Sequence, residues 1–429
     1  MIRARISKSP LPHGHDSIAP VIDLSKTYAE QLARRASELE TCCVHAGEEN
    51  RHGALDTPIV QSSAFGFASA AEAAGAFSGE NDAYIYGRWA NPTVEALERK
   101  LTALEGAEDC AATASGMAAI SGAVLSLCEA GSHIVAPRAM YAESARLLRE
   151  RLPRLGITTT FVDALDPQSY ARALTPATRL LYIETPNNPL LGVSDIAAIV
   201  AIAKGHRAAT LADNTFATPF AQNPLALGVD LVIHSMTKAL GGHGDAIGGA
   251  ICGAHEAVER ARDLVVKGFG GVISPFTAWL VARGLRTFAL RQRQACESAA
   301  TLAARLASSR HVAHVHHPSL ASHVGHALAS RQMHAFGSLL SFELKGSGTT
   351  SAIDAGRRVL EGVRTITHAV SLGDVRSLLT HPASTTHSTM PRQDREKAGI
   401  GDGLLRLSVG IEGTDDLWRD LEAALDASC

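Results

Sequence analysis

The chain has 429 residues, about two to three domain lengths, and 46% of them are hydrophobic against 19% charged. That balance supports a sizeable core and excludes an intrinsically disordered chain. With 43 acidic and 40 basic residues the formal charge is −3, which removes any bulk electrostatic reason to hold nucleic acid or an anionic membrane.

In chain order, residues 1–40 read as an arm, either gripping another subunit or frayed. Pro10, Pro12, Gly14 and Pro20 break its start, and Ser25–Glu40 is predicted to be an amphipathic helix opened by a Ser cap. Met1–Pro12 is basic, but no apolar run follows, so no secretory leader is expected. The cysteines (Cys42, Cys43, Cys110, Cys128, Cys252, Cys296, Cys429) are odd in number and show no CxxC spacing. They predict a reducing, cytoplasmic setting without a disulfide framework. The uncharged stretch Cys110–Cys128 is long enough to cross a bilayer. It is diluted by Thr113, Ser115, Gly116, Ser121, Gly122 and Ser126, so it is read as a buried helix near a ligand.

From Asp109 to Gly253 short apolar runs alternate with helical patterns. Strands are predicted at Ser132–Ala136, Ile157–Val162, Arg179–Ile183, Arg207–Ala212, Asp230–His234 and Gly249–Cys252, and helices at Ser115–Cys128, Ala142–Leu152 and Asp195–Lys204. Such alternation predicts a mostly parallel sheet covered by helices on both faces. After Pro275 a long helix, Phe276–Ser308, leads into a second region with strands at Ser338–Leu344 and Leu404–Ile411 and a closing helix at Thr414–Ala427.

In open α/β sheets ligands sit beyond the carboxyl ends of the strands. Three predicted strands end in suitable side chains: Glu184, then Asp213, then Ser235 with Thr237 and Lys238. A Lys just past a strand suits a Schiff base with an aldehyde cofactor. An Asp on a neighbouring strand suits a pyridinium nitrogen kept protonated as an electron sink. Ser115-Gly116-Met117 opens a helix whose free N–H groups suit a phosphate. Together they outline a pyridoxal 5′-phosphate (PLP) site. Glu184 is either a neighbour of that cofactor or only the buried polar end of its strand.

A family resemblance rests on motifs that run in order from about residue 43 to the C-terminus. They are Tyr86-Gly87-Arg88 with Asn91-Pro92-Thr93, Glu184-Thr185-Pro186-Asn187-Asn188-Pro189, Asp213-Asn214-Thr215 and Ser235-Met236-Thr237-Lys238 with Gly242-His243-Gly244-Asp245. Ser371-Leu372-Gly373, His381-Pro382-Ala383-Ser384 with Thr386-His387, and Arg406-Leu407-Ser408-Val409-Gly410 complete the set. In these the chain resembles the cysteine/methionine-metabolism enzymes of PLP fold type I, the group of methionine γ-lyase, cystathionine γ-lyase and cystathionine γ-synthase.

The resemblance implies an aspartate-aminotransferase-like α/β fold, with a large mostly parallel sheet domain and a smaller α+β C-terminal domain. The division expected is 1–90 as arm and subunit-contact segment, 91–285 as PLP-binding domain and 286–429 as small domain. By the same resemblance Lys238 would bind the cofactor and act as mobile base, Asp213 would pair with the pyridine nitrogen and Asn188 with the ring hydroxyl. Tyr141 would stack on the ring and, with its pKa lowered by the cofactor and nearby cations, donate a proton to the leaving group. Ser115, Gly116, Met117, Ser235 and Thr237 would hold the phosphate, with Thr215 also at the cofactor. Tyr86 and Arg88 would reach the phosphate of a neighbouring subunit, implying a homodimer with shared sites, usually doubled to a homotetramer. Arg406 would clamp the substrate α-carboxylate, beside Ser371.

Three positions bear on the substrate. Val370 stands before the SLG motif where cystathionine lyases of the family carry Glu, and Ile85 before Tyr86 is also apolar. Both point to a methionine γ-lyase-like γ-elimination, with γ-replacement of the O-acetylhomoserine sulfhydrylase or cystathionine γ-synthase type as the alternative. Glu143, two residues after Tyr141, either meets a cationic distal group such as the guanidino-oxy tail of canavanine or pairs with Arg146. The histidines between His311 and His334 match no metal-binding spacing and are read as a solvated surface.

Overall fold

The computed structural model describes residues 39–48, 54–345, 351–388, 392–397 and 399–428; the helix predicted at Ser25–Glu40 lies almost wholly outside them. Helix α1 (Pro92–Glu105) is bounded by its own sequence. Asn91 accepts hydrogen bonds from the Thr93 and Val94 amides, Pro92 fills the first turn, and Gly106 stops the helix at φ 66°.

Seven strands form the main sheet: β1 (Asp109–Thr113), β2 (His133–Pro137), β3 (Thr158–Val162), β4 (Thr178–Glu184), β5 (Ala209–Asp213), β6 (Leu231–Ser235) and β7 (Gly249–Gly253), in the order β1-β7-β6-β5-β4-β2-β3. The five strands from β6 to β3 run parallel, and β7 is antiparallel to both β6 and β1. Alternate residues of β4 enter different cores. Leu180 and Tyr182 pack with residues 116–127, whereas Leu181 and Ile183 pack with residues 196–203. Burial on both faces explains the nearly continuous apolar runs of the inner strands, whereas edge strand β3 is Thr-rich and partly exposed.

Two local expectations are corrected. The uncharged Cys110–Cys128 stretch is not one helix: it is β1, a turn, and α2 (Gly116–Leu127) capped by the Ser115 side chain. Its first four residues, with Asp109 before them, pair with β7, a long-range partner that no local pattern reveals. The helix predicted at Ala142–Leu152 is α3 (Ala142–Arg146) followed by a π-helical turn, Leu147–Arg151. Helix α4 (Ile196–His206) covers the second face of the sheet.

The long helix predicted from Phe276 is also broken, into α5 (Pro275–Leu285) and α6 (Phe288–Ala307). Gly284 lies against the Gly241 carbonyl, where a Cβ would come within 2.3 Å, and Thr287 leaves helical geometry at φ −107°, ψ 10°. Phe288 and Ala289 still belong to the main-sheet core, while residues from Ala299 onward pack on the second sheet. That sheet contains β8 (Val312–His316), β9 (Leu339–Leu344), β10 (Thr367–His368), β11 (Leu378–Thr380) and β12 (Leu404–Ser408), in the order β10-β11-β12-β9-β8. It is antiparallel except between β10 and β11, and α6, α7 (Ala352–Gly362) and α8 (Thr414–Ser428) cover it. The architecture is the α/β one expected, a large mostly parallel sheet with a smaller C-terminal sheet.

The histidine segment is not uniformly a solvated surface. His317 is fully buried, with its ring nitrogens on Ser319 Oγ (2.6 Å) and the Gly337 carbonyl (3.4 Å), and His323 Nδ1 accepts the Gly325 N–H at 3.1 Å. Satisfied ring nitrogens let a histidine replace an apolar core residue. Among the described residues no helix is long and apolar enough to cross a membrane.

Candidate active site

Strands β4, β5 and β6 end side by side at Glu184, Asp213 and Ser235, and Glu184 and Asp213 are register partners. Asp213 is 8% exposed; its Oδ1 accepts the Thr215 N–H at 3.0 Å, and the Thr215 side chain bonds it as well. Burial raises its pKa above the ordinary carboxylate value, against the lowering effect of the Thr215 bonds and of His234. Thr215 Oγ1 also accepts the Ser235 N–H at 2.9 Å, which ties the ends of β5 and β6 together.

Ser115, Gly116, Ser235 and Thr237 meet on one side of this cluster. Ser115 Oγ accepts the Ala118 N–H at 3.1 Å, so the first amides of α2, including those of Gly116 and Met117, are left without helical partners. A Cβ on Gly116 would lie 2.8 Å from the Ser235 Cβ, so only glycine lets the two backbones approach this closely. The Met117 side chain packs against the main-sheet core. Thr237 Oγ1 accepts the Gly248 N–H at 3.1 Å.

Two cations meet at Ser371. Lys238 Nζ donates to Ser371 Oγ at 2.8 Å, and burial, then the Arg406 charge, lower its pKa. Arg406, on β12, donates from Nη1 to Asn188 Oδ1 and from Nη2 to the Ser371 carbonyl, both at 2.9 Å. Its Nε is buried without a partner, and burial alone pulls the guanidinium down to about 10. Ser371 receives both cations from a strained position, φ 100°. Arg291, which the sequence analysis did not single out, is also buried here. It donates to the carbonyls of Ala239 and Gly284, each at 2.9 Å, and so holds the turn after Lys238. Nothing in its local sequence marks it, since its partners lie up to 52 residues away.

Tyr141 precedes α3 and is partly exposed, with its N–H bonded to Glu184 Oε2 at 2.8 Å. The expectation of a lowered phenol pKa is corrected for the protein's own groups. Burial raises it, and Glu143, Asp213 and Glu184 add to the rise. Glu143 is half-exposed and stands 3.8 Å from Arg146, which also pairs with Glu150 at 3.1 Å. Tyr86 and Arg88 are not brought to Lys238. Arg88 lies 5.6 Å from the Tyr86 ring centroid and donates to the Lys267 carbonyl of its own chain.

These groups fit PLP by their chemistry. Unpaired helix amides beside a side-chain-free glycine suit a phosphate, Asp213 suits a ring nitrogen, and the orphaned Arg406 Nε suits a carboxylate. The site and fold are thus those of a PLP-dependent enzyme of the α/β class. The family profile described as Cys/Met metabolism PLP-dependent enzyme matches residues 40–426, and the chain belongs to that family. The resemblance read from the motifs is thereby borne out. The chain is 41% identical to an L-methionine gamma-lyase of Treponema denticola over 89% of its length and 95% of the relative's. It is 38% identical to an O-succinylhomoserine sulfhydrylase of Pseudomonas aeruginosa over 90% of its length and 95% of the relative's. The crystal structure of cystathionine gamma synthase from Xanthomonas oryzae pv. oryzae, in complex with aminoacrylate and cysteine, superposes with a TM-score of 0.85. That match has 39% identity over 91% of this chain and 98% of that one.

Proposed function

We propose that the protein is a γ-lyase that expels a heteroatom group from Cγ of an L-amino acid, as a methionine γ-lyase does. The observation that carries this reading is the pair of buried cations, Lys238 and Arg406. They converge on Ser371 with no carboxylate partner among the described residues. Bound there, PLP supplies an electron sink for carbanions at Cα and Cβ of an amino acid. Arg406 holds the α-carboxylate on its free Nε edge. Lys238, its pKa depressed toward the working range, takes the Cα proton. Tyr141, held protonated by burial and three nearby acids, gives its phenol proton to the departing heteroatom. Ser115, Gly116, Met117, Ser235 and Thr237 hold the phosphate, Thr215 steadies Asp213 on the ring nitrogen, and Asn188 meets the ring hydroxyl. We assign residues 91–285 to cofactor binding and 286–429 to the substrate side. Tyr86 and Arg88 serve a neighbouring copy in a homodimer or homotetramer.

The test is release of a 2-oxo acid from methionine, cystathionine and O-acetylhomoserine, with and without an added thiol. Release that needs no thiol supports elimination. Thiol incorporation at the expense of the 2-oxo acid overturns it in favour of replacement.

The identity of the leaving group turns on Glu143, whose charge reaches the Tyr141 phenol. A cationic group such as the canavanine tail would there gain a charge-assisted bond of about 1.5–3 kcal/mol. Glu143→Gln should then lower kcat/KM about ten- to a hundred-fold on canavanine and leave methionine nearly unchanged. Equal losses on both substrates would mean that Glu143 only steadies α3 through Arg146.

A further inference from the structure

Glu184 ends β4 only 4% exposed, and the chemistry above gives it no step. Its Oε2 accepts the Tyr141 backbone N–H at 2.8 Å, and its carboxyl also takes the backbone N–H of Asn188. Tyr141 is the residue before α3 and has no side-chain cap, so its amide has no place in the helix ladder. On the neighbouring strand Asp213 is the register partner of Glu184. One carboxyl therefore touches the two loops and adjoins the one strand end that carry Tyr141, Asn188 and Asp213.

We propose that Glu184 is a positioning residue that pins the Tyr141 and Asn188 backbones in register with Asp213, so that the cofactor ring is held on its face and on both polar edges. This rests on the PLP reading of the site. Burial and the adjacent Asp213 push the Glu184 carboxyl well above its ordinary range, while the Tyr141 and Asn188 N–H groups pull it back. What the carboxyl holds are those two amides, so its role lies in the geometry of the loops.

The full-length chain is compared as wild type, Glu184→Gln and Glu184→Met. Gln keeps an amide oxygen for the Tyr141 N–H, whereas Met keeps the volume and removes every acceptor. PLP affinity of the stripped protein and the visible circular dichroism of the bound cofactor are measured, with backbone hydrogen exchange of the wild type. The expected result is an affinity within about fivefold for Gln and a loss of about ten- to a hundred-fold for Met, whose visible circular dichroism collapses. In the wild type the Tyr141 amide should exchange slowly, although the residue is 44% exposed. A Met variant that binds PLP like the wild type with unchanged circular dichroism overturns the proposal, as does a Tyr141 amide exchanging at loop rates. If the Met variant fails to fold, the exchange measurement decides. If the wild type takes up no PLP, the cofactor reading fails, and the exchange result still tests the tether.

Discussion

Arg406→Lys isolates what the buried guanidinium does. Arg406 already uses Nη1 on Asn188 and Nη2 on Ser371, each at 2.9 Å, and only its Nε edge is free. Lysine keeps the charge that lowers the Lys238 pKa, but its single ammonium cannot reach Asn188, Ser371 and a carboxylate together. Losing one charge-assisted bond and the alignment of a second should cost about 2–4 kcal/mol. That corresponds to a fall of about thirty- to a thousand-fold in kcat/KM. The assay is steady-state 2-oxo acid release from methionine, with PLP content determined on the same preparation. PLP content should be unchanged if Arg406 serves the substrate carboxylate, as proposed. A variant with full PLP and kcat/KM within about threefold of wild type would refute the assignment of Arg406 to the α-carboxylate.

Lys238→Ala and Arg88→Ala chains should each be inactive alone and regain part of the activity when mixed, since hybrid dimers would hold one intact shared site. No recovery after verified subunit exchange would mean that Tyr86 and Arg88 do not serve a second copy. Gly249→Ala would put a Cβ 2.2 Å from the Ser115 carbonyl, a backbone atom that cannot swing away. It should cost about 1–3 kcal/mol in thermal unfolding and weaken PLP binding by shifting the Ser115 cap. Burial pushes His317 down from 6.5 to about 4, so between those values the unfolded chain binds more protons and stability falls as pH falls. The loss reaches about 3 kcal/mol per such histidine at pH 4. His323 and His387 are depressed to about 4 as well, so His317→Gln should lower the slope of stability against pH in that window by about one proton, roughly 1.4 kcal/mol per pH unit, and leave their contributions in place.

The inner parallel strands were legible because they are short, largely apolar runs bounded by turn residues, whereas edge strand β3 reads Thr-Thr-Thr-Phe-Val. The run predicted at Asp230–His234, for example, is shifted by one residue from β6 (Leu231–Ser235). Strand β1 was hidden because Asp109–Thr113 reads Asp-Cys-Ala-Ala-Thr and is followed by further small residues, a composition that suits a helix equally well. Only its pairing with β7, some 140 residues downstream, decides the matter, and periodicity cannot register a partner at that distance. The break between α5 and α6 was hidden for the same kind of reason. At that break Gly284 lies against the Gly241 carbonyl of another segment, a contact that no local pattern registers.

In the site, residue types were legible and their electrostatic balance was not. Strand-end logic located Glu184, Asp213 and Lys238 from the chain alone, but nothing in the sequence shows that Lys238 and Arg406 meet on one serine at φ 100°. Nor does it show that the acids near Tyr141 raise the phenol pKa. The two facts belong together. Asp213, Glu184 and Glu143 act on the Tyr141 phenol, while Lys238 and Arg406 meet on Ser371 with no carboxylate partner among the described residues. Buried charges without partners destabilise a fold, so an arrangement of this kind persists where a ligand completes it. A zwitterionic amino acid under a cationic ring nitrogen would do so, its carboxylate meeting Arg406 while the ring nitrogen meets Asp213. The same polarity fits the acid role proposed for Tyr141, since burial and the three acids keep its phenol protonated until a leaving group takes the proton.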